Sequence, residues 1–595
     1  MKILGLSFGY HDSTACLLVD GRVVGCSAEE RFSRKKHDNG FPSEVIDFCL
    51  AQEGLRIGDI DAVAYYEMPG KKLERIWKSI HSEGRARAIT FVGILRKMNE
   101  RGALNPLTRI CEKLNIGRDK VHAVLHHESH RALALYGSGF NSTSLLTIDG
   151  VGEFETTTLS HSNPLLSNEV KNAQFPDSLG FFYAAITAFL GFEVNEAEYK
   201  VMGLASYGEP SFVDALYESL KPQSETKQSL SEYFSLNGKY YNTEPSSLFP
   251  YATPLLELLG LPASNSDEYS ADILELKTNS ASVPDVKRYA DIAHSAQRVL
   301  ENMVLDILEK ERVEKNHGDE LAFGGGVALN CKLNKSLMDN GYKLFIAPDP
   351  GDGGSAIGSA MMIHHRLTGK NPEPISEPYL GYRTDDEEIC ATLESFQEDI
   401  KYTIFERSEL SGYVADKIAS GSIVGWFQGR SEFGPRALGN RSILADPRRI
   451  ETQEYVNIAI KFREEFRPFA PSILEEYADD YFELSQNNRF QNSSYHYMLS
   501  LAKAKQRAID EIPAVVHVDG TTRPQLVVRE LNPNFHSLIE KFQKLSGVPA
   551  LLNTSFNLRG EPIVNRPVDA MRTFLASGLD YLVIENFVIE KNFRR

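Results

Sequence analysis

A chain of 595 residues exceeds the size at which one hydrophobic core stops growing, so two or more domains are expected. An apolar fraction of 42% fits ordinary globular folding, and a net charge of −17 argues against nucleic acid as the main partner, because phosphate binding needs a basic face that dominates the local field. Six cysteines without metal-site spacing, no signal peptide ahead of Ile3 and no apolar run of bilayer length lead us to expect a cytoplasmic protein with reduced thiols, small-molecule partners and no membrane partner.

Ile3 to Phe8, Thr14 to Val19 and Arg22 to Ser27 read as strands, joined by the polar turn Gly9-Tyr10-His11-Asp12-Ser13 and by Asp20-Gly21. Lys71 to Arg101 interleaves many basic residues with apolar ones and reads as a solvated amphipathic helix rather than a membrane or nucleic-acid patch. In Leu125-His126-His127-Glu128-Ser129-His130-Arg131-Ala132, His126 and His130 stand four apart and project from one face of a helix toward one point, as two nitrogen ligands to a metal do. Alone, such a pair is weak evidence, because helical histidines at this spacing are more often solvated or capping side chains.

Carboxylates that join the pair come later in the chain. Asp149 ends the apolar run Ser144 to Ile148 and opens a glycine turn, Asp149-Gly150-Val151-Gly152-Glu153, so that Leu145 to Leu159 repeats the strand-turn-strand grammar of the N-terminus. Two related halves, each presenting a turn into a shared cleft, are implied. The region from about Pro222 to Pro284 is polar and serine-rich and reads as part of an insertion spanning about 160 to 290. Leu321 to Asn330 is a buried strand that runs into Gly324, Gly325 and Gly326 and then a helix, where glycines let backbone amides approach a nucleotide and a helix start favours anions. Asp352 stands in a further glycine turn, Pro350 to Ala356, leading into a helix. Two histidines and two aspartates suit a borderline divalent metal, iron or zinc first, better than calcium. The N-terminal strand-turn-strand unit, its repeat at Leu145 to Leu159 and the glycine strand ending in Asn330, in this order, resemble the nucleotide fold of actin, hexokinase and Hsp70.

Asn371 to Tyr382 is proline-rich and without periodicity, a linker between domains of about 1–375 and 385–595. In the second, Ser422 to Phe427, Leu526 to Val528 and Tyr581 to Ile584 are strand-like. Gln428 to Ser442 sets Arg430, Arg436 and Arg441 among glycines, followed by Lys461, Arg463 and Arg467; guanidinium groups suit bidentate binding of phosphate and carboxylate. Salt bridges to the chain's many acids are the alternative. Arg523 and Arg559 are candidates to complete an anion pocket, although their distance in sequence leaves that open.

Taken together, Gly9-Tyr10-His11-Asp12-Ser13, Glu29 to Asp38, the His126–His130 run, Glu198 to Ala205, the glycine strand ending in Asn330, Gly351-Asp352-Gly353-Gly354, Glu432 to Gly439 and Asn553 to Asn557 resemble the bacterial O-carbamoyltransferases of the NodU and CmcH family, which includes the tobramycin, cephamycin and ansamycin carbamoyltransferases. The resemblance covers nearly the whole chain. It implies an α/β N-terminal domain with the duplicated actin-like fold, similar to the tRNA threonylcarbamoyl transferases, and a C-terminal YrdC-like α/β domain. It implies that carbamoyl phosphate and ATP, with Mg2+ on the nucleotide, form carbamoyl-adenylate in the C-terminal domain, and that the carbamoyl group then passes to an alcohol.

By the same resemblance, Arg436, Lys461, Arg467 and Arg523 hold carbamoyl phosphate and the triphosphate, with Lys36 contributed from the first domain. Lys200, Gly203, Gly325, Gly326, Asn330 and Arg559 are the implied nucleotide- or substrate-binding residues. His126, His130, Asp149 and Asp352 hold a metal, iron(II) first with zinc or manganese as alternatives, and His11 accepts the acceptor's proton unless it only caps its turn. The acceptor is expected to be a small, secondary-metabolite alcohol. A nodulation-factor sugar, a tRNA nucleoside, an actin-fold kinase and a catalytically silent nucleotide binder are the rivals, and the oligomeric state, a homodimer included, stays open.

Overall fold

The computed structural model describes all residues except 82–83, 101, 163–168, 222–228, 245–248, 264–283, 316–317, 462–468 and 593–595. The chain divides into two compact units: Met1–Val24 with Asn39–Ile375, and Gly25–Asp38 with Ser376–Arg595.

The first unit is built on a duplication. β1 (Lys2–Ser7), β2 (Thr14–Val19), β3 (Arg22–Ala28), β4 (Ala62–Tyr65) and β5 (Val121–Ala123) form one sheet in the order β3-β2-β1-β4-β5, with β3 straddling the boundary between the units. β6 (Thr143–Ile148), β7 (Glu155–Ser162), β8 (Val170–Gln174), β9 (Glu320–Gly324) and β10 (Lys343–Phe345) form a second in the order β10-β9-β6-β7-β8. Both sheets therefore run third, second, first, fourth, fifth. In both, the first strand is antiparallel to the second and parallel to the fourth, which is parallel to the fifth. This is the duplicated actin- and hexokinase-like topology. β1 and β6 are almost continuously buried, as central strands covered on both faces must be, which explains their unbroken apolar runs.

Equivalent helices follow the fifth strands: His126–Ser138 after β5 and Asp352–Thr368 after β10. They pack on each other. The approach is close because Gly358 has no side chain, for a Cβ there would collide with the carbonyl oxygen of Ser129. Between β8 and β9 lie several helices, ending in Pro284–Lys315, and the described part of this stretch is less polar than its composition implies, with Phe182, Phe189, Leu230, Phe234, Tyr241 and Leu255 buried. Lys71 to Arg101 is two helices rather than one, Pro69–Lys78 and Gly84–Glu100, and the second buries no residue.

The second unit carries an eight-stranded mixed sheet, with helices among its strands, the α/β arrangement of a YrdC-like fold. Its strands are β11 (Ile400–Ile404), β12 (Val424–Phe427), β13 (Arg441–Ala445), β14 (Ala470–Leu474), β18 (Gln525–Val527), β19 (Ala550–Ser555), β20 (Tyr581–Ile584) and β21 (Phe587–Lys591), in the order β11-β21-β20-β12-β13-β19-β14-β18. A small sheet of β15 (Phe482–Glu483), β16 (Ala502–Ala504) and β17 (Thr521–Thr522) accompanies it. The segment Gly25–Asp38 is tied into this unit by Arg31, which donates to the Gly434 carbonyl at 2.9 Å, and by Arg34, which donates to the carbonyls of Ile563 and Pro562 at 2.7 and 2.8 Å. Among the described residues no helix is long and apolar enough to cross a membrane, and none of the six cysteines forms a disulfide.

Candidate functional site

The first-unit cluster draws on three elements of the duplication. His126 and His130 come from the first turns of the helix after β5, Asp352 opens the equivalent helix after β10, and Asp149 follows the last residue of β6. The two Nε2 atoms lie 3.2 Å apart. Asp149 Oδ2 is 3.4 Å from that of His126 and 3.0 Å from that of His130, and Asp352 Oδ1 is 3.6 Å from each. One donor atom from each of the four side chains falls within 4.8 Å of all the others. Two imidazole nitrogens and two carboxylate oxygens held this closely, with His130 fully buried, fit a borderline divalent cation.

Surrounding groups set the orientation of these side chains. Ser355 Oγ sits 3.1 Å from His130 Nδ1 and thereby turns Nε2 toward the carboxylates. The Glu153 carboxylate accepts the His126 backbone N–H at 3.1 Å and that of Met68 at 2.6 Å, so it holds the start of the histidine helix. His127 points away, its Nδ1 2.7 Å from Thr147 Oγ1, and burial together with the neighbouring histidines holds its pKa well below the usual imidazole value. Glu128 faces elsewhere and pairs with Arg366 at 2.6 Å. Burial opposes charge on His130, but its bonds to Asp149 and Asp352 prevail and raise it to about 9. Asp149 is depressed well below the carboxylate range: its bonds to His126 and His130 outweigh a larger burial penalty than any single one of them.

His11 lies in the turn after β1, the counterpart of the Asp149 turn after β6. Its Nδ1 is 2.9 Å from Asp12 Oδ2 and its Nε2 3.8 Å from Asp352 Oδ2. Burial disfavours its protonation, yet the Asp12 bond and the Asp352 charge raise it to about 9. A cation that neutralised Asp352 would remove part of that hold and favour the neutral imidazole.

Gly325 and Gly326 adjoin the cluster. Gly325 has φ +91°, and a Cβ on it would collide with the carbonyl of Ile148, so only glycine lets the backbone after β9 lie against the end of β6; Gly326 N–H donates to Asp149 Oδ2 at 3.3 Å. Asn330 accepts from Leu333 N–H at 3.0 Å as the cap of helix Cys331–Asp339, and exchanges amide hydrogen bonds with Gln297 at 3.0 and 2.9 Å. Lys200 and Gly203 share the short helix Glu198–Leu204, where the Lys200 ammonium lies 5.6 Å from the Phe192 ring centroid.

In the second unit the arginines divide. Arg441 is fully buried, stacked 3.5 Å from the Phe427 ring centroid and donating to the carbonyls of Gln428, Asn440 and Tyr382 at 2.8, 2.9 and 3.1 Å. Arg430 donates to the carbonyls of Leu380 and Gly381 at 2.6 and 3.1 Å. Backbone carbonyls take donors of both. The loop between them is tied by the buried Glu432, whose Oε1 accepts from the N–H groups of Leu438 and Asn440 at 2.8 Å and of Arg441 at 3.1 Å. Arg436 stands half-buried on this loop.

Lys461 closes a helical turn and donates to the Ser555 carbonyl, to Ser555 Oγ at 3.1 Å and to Asn557 Oδ1 at 2.8 Å, at the end of β19. Arg523 is half-buried with its Nε shielded and without an acceptor, while Arg559 is exposed. Lys36 is exposed on the Gly25–Asp38 segment, which clusters with the second unit rather than the first. Arg463 and Arg467 lie outside the described residues.

Ser355, Thr147 and the roles of Glu153 and Glu432 escaped the sequence reading. The signal available for both glutamates was an acid inside a glycine-rich turn; Glu432 binds amides of its own loop, Glu153 the amides that start two helices elsewhere, where helix termini leave donors in need of an acceptor.

A carbamoyltransferase N-terminus family model matches residues 2–361 and a carbamoyltransferase C-terminus model matches residues 415–591. The chain is 38% identical to the uncharacterized protein sll1178 of Synechocystis sp., over 99% of this chain and 96% of that one. It is 35% identical to the nodulation protein NolNO of Sinorhizobium fredii, over 98% of this chain and 79% of that one. It is 34% identical to the 3'-hydroxymethylcephem-O-carbamoyltransferase of Amycolatopsis lactamdurans, over 49% of this chain and 52% of that one.

Proposed function

Because this chain belongs to the carbamoyltransferase family, we propose that it is an ATP-dependent O-carbamoyltransferase that forms carbamoyl-adenylate and passes the carbamoyl group to a hydroxyl of a small molecule, a secondary metabolite in the first instance. The observation that carries this reading is the convergence of His126, His130, Asp149 and Asp352 beside His11, where a hydroxyl and a carbonyl can be activated together.

In the first half-reaction water releases phosphate from carbamoyl phosphate, and the resulting carbamate displaces pyrophosphate from the α-phosphorus of ATP, with Mg2+ on the nucleotide. Negative charge accumulates on phosphoryl oxygens, and positioned cations stabilise it. Arg436, Arg523, Lys461 and Arg467 are the groups we assign to that task, with Lys36 and Arg559 at its margin. Glu432 acts through the loop, keeping Arg436 in position by binding the amides beside it. In the second half-reaction His11, oriented through Nδ1 by Asp12, takes the proton of the acceptor hydroxyl as its oxygen attacks the carbamoyl carbon and AMP leaves. Gly325 and Gly326 bring backbone amides to the nucleotide, with Asn330, Lys200 and Gly203 alongside. A divalent cation held by His126, His130, Asp149 and Asp352, iron(II) or else zinc or manganese, would supply Lewis-acid polarisation of the carbamoyl carbonyl.

Separating the half-reactions tests the assignment. Arg436→Ala should lose pyrophosphate release from ATP and carbamoyl phosphate, yet still carbamoylate an acceptor when carbamoyl-adenylate is supplied. Normal pyrophosphate release by that variant would sink the role given to Arg436, whereas release of ADP in place of pyrophosphate by the unaltered chain would favour an actin-fold kinase, which has no use for the second unit's arginines.

A further inference from the structure

The helix Pro69–Lys78 lays a row of cations across aromatic rings. Lys72, Arg75 and Lys78 are spaced three apart and share one side of it. Their cationic groups lie 5.4 Å from the Tyr10 ring centroid, 5.4 Å from that of Phe175 and 5.1 Å from that of Phe154, respectively. Two of the three also have carboxylate partners: Lys72 bonds Glu67 at 2.7 Å, and Lys78 bonds Glu74 at 2.6 Å.

Arg75 has none. Among the described residues its guanidinium has no ion pair and no hydrogen-bond acceptor, and its Nε is shielded from solvent. The carboxylates whose charge it feels, Glu67 and Glu153, are committed elsewhere, Glu67 to Lys72 and Tyr65, Glu153 to the amides of Met68 and His126. A planar five-donor group left without an acceptor in a half-buried position is costly, and such a cost persists where a ligand supplies the acceptor.

The location says which ligand. Glu153 binds the amide just before this helix and the amide that starts the histidine helix, so both begin on one carboxylate. Tyr10, under Lys72, adjoins His11 in sequence and its ring packs 4.6 Å from the His11 ring. Residues 71 to 101 hold nine Lys and Arg against three Glu in a chain whose net charge is −17, so the field here is reversed.

Building on the O-carbamoyltransferase reading, we propose that the acceptor alcohol carries an oxyanion, a carboxylate or a phosphate, which Arg75 binds between aromatic faces while the hydroxyl lies toward His11. An oxyanion is the partner whose geometry matches the guanidinium fork.

Modification of the full chain with phenylglyoxal, followed at Arg75 by peptide mass spectrometry, tests this. The probes are 4-(hydroxymethyl)benzoate, 4-(hydroxymethyl)phenyl phosphate and, as the neutral match, 4-(hydroxymethyl)benzamide. One or both anions should slow modification of Arg75 about tenfold, with the amide without effect. Which anion protects tells carboxylate from phosphate. No protection by either anion, equal protection by the amide, or an Arg75 that phenylglyoxal never reaches would each overturn the proposal. Pyrophosphate release from ATP and carbamoyl phosphate, measured on the unmodified protein, tests the underlying reading separately: its absence alongside anion protection would sink that reading and leave the anion site standing.

Discussion

The metal-type cluster of the first unit and the arginine loop of the second use the same device to opposite ends. In each, a buried carboxylate standing in a glycine-rich turn gathers backbone amides, Glu153 those of Met68 and His126 at the starts of two helices, Glu432 those of Leu438, Asn440 and Arg441 along its own loop. In the first unit this brings opposite charges together, so that imidazoles and carboxylates shift one another's protonation. In the second it separates like charges, sending Arg441 inward to carbonyls and leaving Arg436 on the loop. Burial lowers the Arg441 pKa to about 10 despite the charges of Glu432 and Glu585. The lesson is that residue type fixes what a side chain can bind, whereas the backbone around it decides whether it is already bound.

The largest effect expected from breaking this contrast is at Arg441. Arg441→Met strips several carbonyls of their donor inside the core and should cost about 3–5 kcal/mol, read as a lower urea midpoint. Arg436→Ala should cost about 1 kcal/mol or less, since its loop is held by Glu432. Equal destabilisation by the two would erase the distinction drawn between them.

In the first unit, His130→Ala should weaken divalent-metal binding by about 10²-fold or more, measured by competition with a chelator, because it removes one of four donors from a closed cluster. Unchanged affinity would show that the four residues form a charge network and nothing else. The proton on His130 offers a further check. In chelator-treated protein its pKa of about 9 lies above the ordinary 6.5, so the Asp149 and Asp352 contacts stabilise the fold fully below the ordinary value and progressively less as pH rises through about 9. Metal must displace that proton, so metal affinity should rise over the same interval. A flat profile from pH 7 to 9 would contradict this.

The smallest effect is at Ser355, where removal of the hydroxyl frees His130 Nδ1 without touching a donor atom. Ser355→Ala should weaken metal binding by about tenfold, the usual scale for a residue that only orients a ligand. A loss as large as that of His130→Ala would mean that the serine is itself a ligand.

Much of this molecule follows from local pattern. The four-residue spacing of His126 and His130 needs only a helix to bring them together, and Asp149 needs only the end of β6. The unbroken apolar runs of β1 and β6 mark central strands because both their faces are covered. What pattern could not supply is whatever depends on elements far apart in sequence. Asp352 reaches the histidines because the helices after β5 and β10 pack at the separation that Gly358 permits. Arg430 and Arg441 are as basic as Arg436 on paper, and it is the fold that brings carbonyls of distant residues to their donors. Gly25–Asp38, contiguous with the first strands, joins the second unit because Arg31 and Arg34 find carbonyl partners some four to five hundred residues away. Arg75 passes for one more cation of a solvated helix until the fold commits its neighbouring carboxylates elsewhere. The sequence by itself determined which groups could bind and the periodicity that lines them up; the tertiary structure decided which were already satisfied, because a charge in a folded chain is spent by whatever packs against it.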